Sequence, residues 1–171
     1  TPLQLAAATA MLANGGKRIE PRLVQAVRDP LSHVWQPQPG VARGQLAIDP
    51  TNLEVVRAGM MDVMRPGGTA AAAAAGAPYT IAGKTGTSND RRDAWFSGFN
   101  GVLVATAWVG FDQERSLGAR EEGGQTALPM WKYFMARALR RTPEVPLAQP
   151  PTLITAKISP DTGRLAAAGD N

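Results

Sequence analysis

Four consecutive residues of this chain have side chains suited to binding a small acyl substrate. They are Lys84, Thr85, Gly86 and Thr87. The lysine supplies a cation, the threonines supply hydroxyls that can hold a carboxylate, and the glycine lets a substrate lie close to the backbone. In a strand, the two-residue repeat would put both threonines on one face. The pattern predicts a strand that binds an acyl substrate; a solubilising lysine on an edge strand is the alternative interpretation of Lys84.

Composition narrows the chemistry that the chain can do. It has no cysteine, which excludes disulfides, thiolate catalysis and cysteine-based metal sites, and its one histidine, His33, cannot form a metal site alone. We therefore expect neither a metal nor another cofactor. The formal net charge is +4, but the basic residues are scattered, so no nucleic-acid partner is expected. No segment has the apolar length of a transmembrane helix.

The lysine segment must be positioned by neighbouring strands. Residues 79–88 form a strand candidate, and two apolar runs follow at 94–99 and 102–110. Asn100 and Gly101 join these runs, and Asn-Gly between apolar runs is a strong hairpin signal because both residues readily adopt positive φ. The sequence therefore predicts an antiparallel meander with the lysine strand as its first member.

Three longer helices are predicted around this sheet. Residues 2–14 are apolar almost all round, which indicates a buried helix, and Gly15 with Gly16 ends it. Residues 51–64 carry a stripe of apolar side chains that we expect in the core. Residues 126–140 should pack on the sheet through Trp131 and other large apolar side chains.

The remaining segments complete a prediction of an α+β fold, with an antiparallel sheet packed with helices. Short extended pieces are predicted at 22–28 and 31–36, a loop at 37–45 and a short helix at 70–75. The predicted organisation is one unit over residues 1–141, a proline-rich linker over 142–151, and a terminal strand and loose tail over 152–171.

Several separated motifs resemble one family in its own order. They lie at 1–5, 13–16, 67–69, 82–90, 93–98, 108–110 and 123–129. In this set the chain resembles the C-terminal part of the transpeptidase domain of a class A, bifunctional penicillin-binding protein. The resemblance implies the fold of penicillin-binding proteins and serine β-lactamases. It also implies a serine acyltransferase that binds the D-Ala-D-Ala end of peptidoglycan stem peptides and reacts with β-lactam antibiotics.

The resemblance also implies roles for individual residues. Lys84 would supply positive potential and help proton transfer near the nucleophile. Thr85 and Thr87 would bind the terminal carboxylate of the substrate, and the Thr87 N–H would form half of the oxyanion hole. Gly86 would allow close backbone approach, and Ser88 belongs to the same substrate-binding set.

The nucleophile of this family is absent from the sequence. None of the five serines begins an S-x-x-K motif, and no S-x-N motif is present. In the family both motifs precede the segment that begins at Thr1, so we expect them in an N-terminal remainder of the same protein and expect the fragment alone to be inactive. By resemblance, a glycosyltransferase domain and a membrane anchor would also lie outside this chain, which would sit on the periplasmic side of the membrane.

Alternative functions remain open at the level of sequence. A D,D-carboxypeptidase or a β-lactamase would have the same fold, and a non-enzymatic module could bind wall peptide or a protein partner through the Lys84 strand. The aromatic pair Trp95 and Phe96 fits either the cleft or the core, with the core favoured.

Overall fold

The computed structural model describes residues 1–147, 158–159 and 164–165. Helices in this part are α1 (Pro2–Ala13), α2 (Pro50–Asp62), α3 (Ala71–Ala74) and α4 (Leu128–Ala138). Strands are β1 (Lys17–Ile19), β2 (Ala26–Arg28), β3 (Trp35–Pro37), β4 (Ala42–Gln45), β5 (Ala82–Thr87), β6 (Asp93–Phe99) and β7 (Val104–Gly110). The predicted α+β class with antiparallel strands is confirmed. The terminal strand and tail predicted over 152–171 lie outside the described residues, apart from a bridge between Ile158 and Leu165 and the residues beside them.

The central sheet has the order β5-β6-β7 and packs one face against α4. Phe96 on β6 meets Trp131 on α4 edge to face, with ring centroids 5.1 Å apart. The Trp131 indole N–H donates to the Ala105 carbonyl of β7 at 2.9 Å, so this buried ring leaves no polar atom unsatisfied. Ala94, Ala127, Leu128 and Met135 are also fully buried in this core.

The turn between β6 and β7 differs from the prediction. Neither Asn100 nor Gly101 has positive φ, so this is not the expected two-residue turn. Instead four residues connect the strands, and the Asn100 side-chain oxygen accepts the N–H groups of Val102 and Leu103 at 3.0 and 2.8 Å. A Cβ on Gly101 would overlap the backbone of Val145, so this glycine is needed for close packing rather than for its φ.

Helix α1 lies on the other face of the sheet, and the expectation that it is buried is wrong for the described chain. Leu3 and Leu5 are 60% and 38% exposed, and Thr9 is its one fully buried residue. The Thr9 hydroxyl lies 2.7 Å from the Ser97 hydroxyl of β6, which lies 2.6 Å from that of Thr106 on β7. A chain of three hydroxyls therefore joins α1 to two strands.

Two small antiparallel pairs lie outside the central sheet, β1 with β4 and β2 with β3. The loop predicted at 37–45 is wrong in part, because it contains β4. Lys17 of β1 pairs with Gln45 of β4, a contact between distant segments that local sequence does not encode. The extended pieces predicted at 22–28 and 31–36 contain β2 and most of β3.

The ends of several predicted elements also shift. Strand β5 does not begin at residue 79, because the Thr80 N–H and hydroxyl bind the Glu144 carboxylate at 2.9 and 3.1 Å. The helix predicted at 126–140 begins at Leu128, after a π-helical turn over Gly123–Ala127 in which the Thr126 hydroxyl donates to the Glu121 carboxylate. Among the described residues, no helix has the length and apolar character to cross a membrane.

Candidate active site

Strand β5 is an edge strand, paired only with β6 in the part of the chain that the structure describes. Lys84 is exposed on it. The Lys84 ammonium donates to the carbonyl of Thr85 at 2.9 Å and lies 3.4 Å from the Thr85 hydroxyl. The structure therefore brings together the cation and the first of the two threonines.

The backbone geometry of β5 gives the direction of its N–H groups. The Ser88 N–H, just beyond the strand, donates to the Asp93 carbonyl of β6 at 3.0 Å. In an antiparallel pair, alternate residues direct their N–H groups to the same side. The N–H groups of Thr85 and Thr87 therefore point away from β6, toward the unpaired edge.

The two threonine side chains face the π-helical turn, whereas Lys84 belongs to the opposite face. The Thr87 hydroxyl oxygen accepts the Gly123 N–H at 3.1 Å. Gly124 lies near Thr85, because a Cβ there would be 3.7 Å from the Thr85 methyl carbon. The predicted common face of the two threonines thus borders a second segment, about 36 residues further along the chain.

Gly86 has a packing reason for its identity. A Cβ at this position would lie 3.2 Å from the Trp95 Cβ on β6, which is tighter than ordinary van der Waals contact. Gly83, earlier on the same strand, is more constrained, because a Cβ there would overlap the Phe96 ring. The small residues of β5 therefore let the aromatic residues of β6 pack closely against it.

The loop after β5 holds the remaining predicted binding residue. The Ser88 hydroxyl accepts the Asp93 N–H at 2.8 Å, which closes this loop. Asp90 and Arg91 follow with φ of 58° and 53°, a left-handed conformation that is uncommon for residues other than glycine. Arg91 pairs with Glu122 at 3.2 Å, so the loop is tied to the residue before Gly123.

A cavity of about 610 Å³ lies on the Lys84 face of β5. Leu5 and Leu12 of α1 and Val56 and Met60 of α2 line its apolar side. Part of the stripe expected in the core thus lines this cavity. Lys84, Thr85, Gly86, Trp95 and Ser97 complete the lining.

Trp95 and Phe96 have different environments. Trp95 is half-buried, lines this cavity and contacts Trp108, with ring centroids 5.9 Å apart. Phe96 is fully buried in the core between β6 and α4. Of the two predicted locations for this aromatic pair, the cleft therefore fits Trp95 and the core fits Phe96.

The sequence profile described as the penicillin binding protein transpeptidase domain matches residues 1–107, more than half of the chain. The chain belongs to the penicillin-binding protein transpeptidase family.

Two similar curated proteins are penicillin-binding proteins 1A. The protein from Pseudomonas aeruginosa is 32% identical over 217 residues, which cover 99% of this chain and 26% of that protein. The protein from Neisseria gonorrhoeae is 43% identical over 143 residues, covering 82% of this chain and 18% of that protein. The predicted resemblance to class A penicillin-binding proteins is confirmed.

Solved structures agree with this assignment. Penicillin-binding protein 1A from Haemophilus influenzae matches with a TM-score of 0.79 at 29% identity, covering 100% of this chain and 31% of that one. Penicillin-binding protein A from M. tuberculosis, solved as an imipenem acyl-enzyme complex, matches with a TM-score of 0.64 at 26% identity, covering 81% and 31%. The chain thus spans about a quarter of the length of the first of these curated proteins and 31% of each of these two structures.

The contact between Thr87 and Gly123 was not predicted from sequence. The 123–129 motif was noted only as part of the family resemblance. Two adjacent glycines before a helix were the available signal, because a glycine that is not in a tight turn often marks close approach to another backbone.

Proposed function

We propose that this transpeptidase chain forms one side of a serine D,D-transpeptidase active site that cross-links peptidoglycan stem peptides. The observation that carries the proposal is the outer edge of β5. It combines the exposed ammonium of Lys84, the outward N–H of Thr87 and two threonine hydroxyls, in a chain of this family. An extended peptide can lie along such an edge and hydrogen-bond to its backbone.

Each group would have a distinct task in the reaction. The hydroxyls of Thr85 and Thr87 would bind the terminal carboxylate of D-Ala-D-Ala. The serine hydroxyl attacks the carbonyl between the two alanines, and the outward N–H of Thr87 stabilises the oxyanion that forms. The bond to the terminal D-Ala then breaks, and that amine leaves with a proton. Lys84 supplies positive potential and helps proton transfer. An amine of a neighbouring stem peptide takes the acyl group and frees the serine.

We also propose that an N-terminal remainder of the same protein supplies the nucleophile through S-x-x-K and S-x-N motifs. Two observations support this part. The chain has no S-x-x-K motif and spans about a quarter of the length of its first curated relative. The cavity beside Lys84 has apolar walls on α1 and α2, which a packed helix could cover. A glycosyltransferase domain, a membrane anchor and a periplasmic location for this chain are further parts of the proposal.

Labelling with a fluorescent penicillin tests the function. The full-length protein should be labelled at a serine outside this chain, and Lys84→Ala should slow labelling at least about tenfold, since a cation near the reacting atoms is lost. Lys17→Ala, at an exposed lysine on β1, is the matched control and should leave the rate unchanged. Labelling of this chain at Ser88 or Ser97 would refute the proposal.

Further assays on the full-length protein separate the alternatives. Rapid turnover of a chromogenic cephalosporin by the full-length protein would indicate a β-lactamase. Release of D-Ala from a stem peptide without cross-linked product would indicate a D,D-carboxypeptidase. Peptide binding with no covalent labelling at all would indicate a non-enzymatic module.

A further inference from the structure

The Thr87 hydroxyl has one of its bonding positions already used. Its oxygen accepts the Gly123 N–H at 3.1 Å, and Gly123 is buried while Thr87 is exposed. A hydroxyl has one O–H donor and two acceptor lone pairs. Because the backbone N–H occupies one lone pair, the hydroxyl is anchored from one side, and its O–H remains available to donate to a ligand on the other.

Only glycine fits at position 123. A Cβ there would overlap the carbonyl oxygens of Trp95 and Gly86 and lie 2.9 Å from the Gly86 nitrogen. These are backbone atoms of paired strands, so they cannot move aside. At the neighbouring Gly124, a Cβ would meet nothing closer than 3.7 Å. Of the two glycines, Gly123 is therefore the one that lies against the backbone of the β5–β6 ladder.

Contacts on both sides fix this turn. Glu122 accepts from the Arg91 guanidinium at 3.2 and 3.3 Å, which ties the turn to the loop that follows β5. The Glu122 carbonyl accepts the N–H groups of Gln125 and Thr126 at 3.0 and 2.8 Å. The Gly123 N–H is thus held toward β5 by its own turn and by the adjacent loop.

We propose that Gly123 is a positioning residue that orients the Thr87 hydroxyl to donate to the carboxylate of the substrate. This inference rests on the proposed function, in which Thr87 binds that carboxylate. A freely rotating hydroxyl loses rotational freedom when the ligand binds. Before binding it can also point its lone pairs, rather than its hydrogen, toward the anion. A hydroxyl held by the Gly123 N–H has one lone pair engaged, so its hydrogen faces the ligand more often before the ligand arrives.

The test compares Gly123→Ala with Gly124→Ala in the full-length protein. The acylation rate constants are measured with benzylpenicillin and with its methyl ester, in which the carboxylate charge is removed. Gly123→Ala should lower the rate for benzylpenicillin about fivefold, less than the roughly tenfold or greater effect of removing a whole hydrogen bond to a charged group, and leave the ester rate within about twofold. Gly124→Ala should change neither rate, since its Cβ has room.

A double-variant cycle with Thr87→Val identifies the route of the effect. If Gly123 acts through the Thr87 hydroxyl, Gly123→Ala should cause no further loss in the Thr87→Val protein. Losses that add, or an equal slowing of both ligands by Gly123→Ala, would overturn the positioning role. If Thr87→Val itself leaves benzylpenicillin acylation unchanged, the carboxylate-binding role in the proposed function is wrong instead.

A second variant covers the case in which Gly123→Ala does not fold. Glu122→Gln removes an exposed ion pair and keeps the backbone of the turn. It should slow acylation by benzylpenicillin about threefold, the scale of an exposed ion pair, and spare the ester. No selective loss with Glu122→Gln would count against the proposal.

Discussion

Substitution of Ser97 by alanine should lower stability and leave the chemistry intact. Ser97 is 6% exposed, and its hydroxyl lies 2.7 Å from that of Thr9 and 2.6 Å from that of Thr106. Each such bond contributes about 1 kcal/mol net. Thr9 keeps the Leu5 carbonyl as a partner at 2.9 Å, so its hydroxyl does not become unsatisfied. Thr106 also loses its Ser97 partner, but it is only partly buried. The loss of two bonds therefore amounts to about 2 kcal/mol in the free energy of unfolding.

Calorimetry and penicillin labelling of the full-length protein together check this value. A loss of about 2 kcal/mol corresponds to a decrease of about 4 °C in the melting temperature of a domain larger than this chain. The folded Ser97→Ala protein should still be labelled by penicillin, at the same serine outside this chain as in the wild-type protein. Ser116→Ala, at an exposed serine, is the control and should shift stability by less than about 0.5 kcal/mol. An unchanged melting temperature with lost labelling would refute the reasoning, because Ser97 would then act chemically.

Three further predictions follow from the packing of the sheet and its loops. Phe96→Ala removes a fully buried ring and should lower the free energy of unfolding, measured by thermal unfolding, by about 4 kcal/mol. Trp95→Ala, beside the cavity, should lower it clearly less. Equal losses would contradict the assignment of Phe96 to the core. Asn100→Ala leaves two loop N–H groups without their acceptor and should cost about 1–2 kcal/mol by the same measurement, with Asn100→Asp, which keeps the acceptor, losing less. Arg91→Gln should change unfolding by no more than about 1 kcal/mol, because both partners of its ion pair are about half exposed; a larger loss would show that the left-handed loop depends on this pair.

The central sheet could be predicted from sequence because its signals are local. Three short runs with small or apolar residues, separated by turn residues, gave the order of β5, β6 and β7. The turn type was wrong, because the side chain of Asn100 closes a longer loop and packing by Val145 selects Gly101. The sequence around this turn does not predict that Val145, more than 40 residues further along the chain, packs against it.

Helix α1 and the site also depend on contacts between distant segments, which local sequence does not predict. An apolar surface all round α1 indicated burial, but burial depends on what covers the helix, and the described chain covers mainly the side near Thr9. For the site, residues 84–87 predicted a strand, which is observed as part of β5, and a ligand chemistry that stays a prediction. The contact of Gly123 with Thr87 could not be predicted, because it requires the tertiary approach of a turn to β5.

The edge of β5 that is unpaired among the described residues also affects how variants of this protein should be handled. An edge strand with free N–H and carbonyl groups can pair with the same strand of another molecule. Lys84 opposes such pairing by its charge, and its ammonium already occupies the outward carbonyl of Thr85. A variant that removes this lysine therefore loses protection against self-association together with its proposed catalytic group. Sedimentation or light scattering should accompany every activity measurement on a Lys84 variant, because an aggregated sample would look like an inactive enzyme.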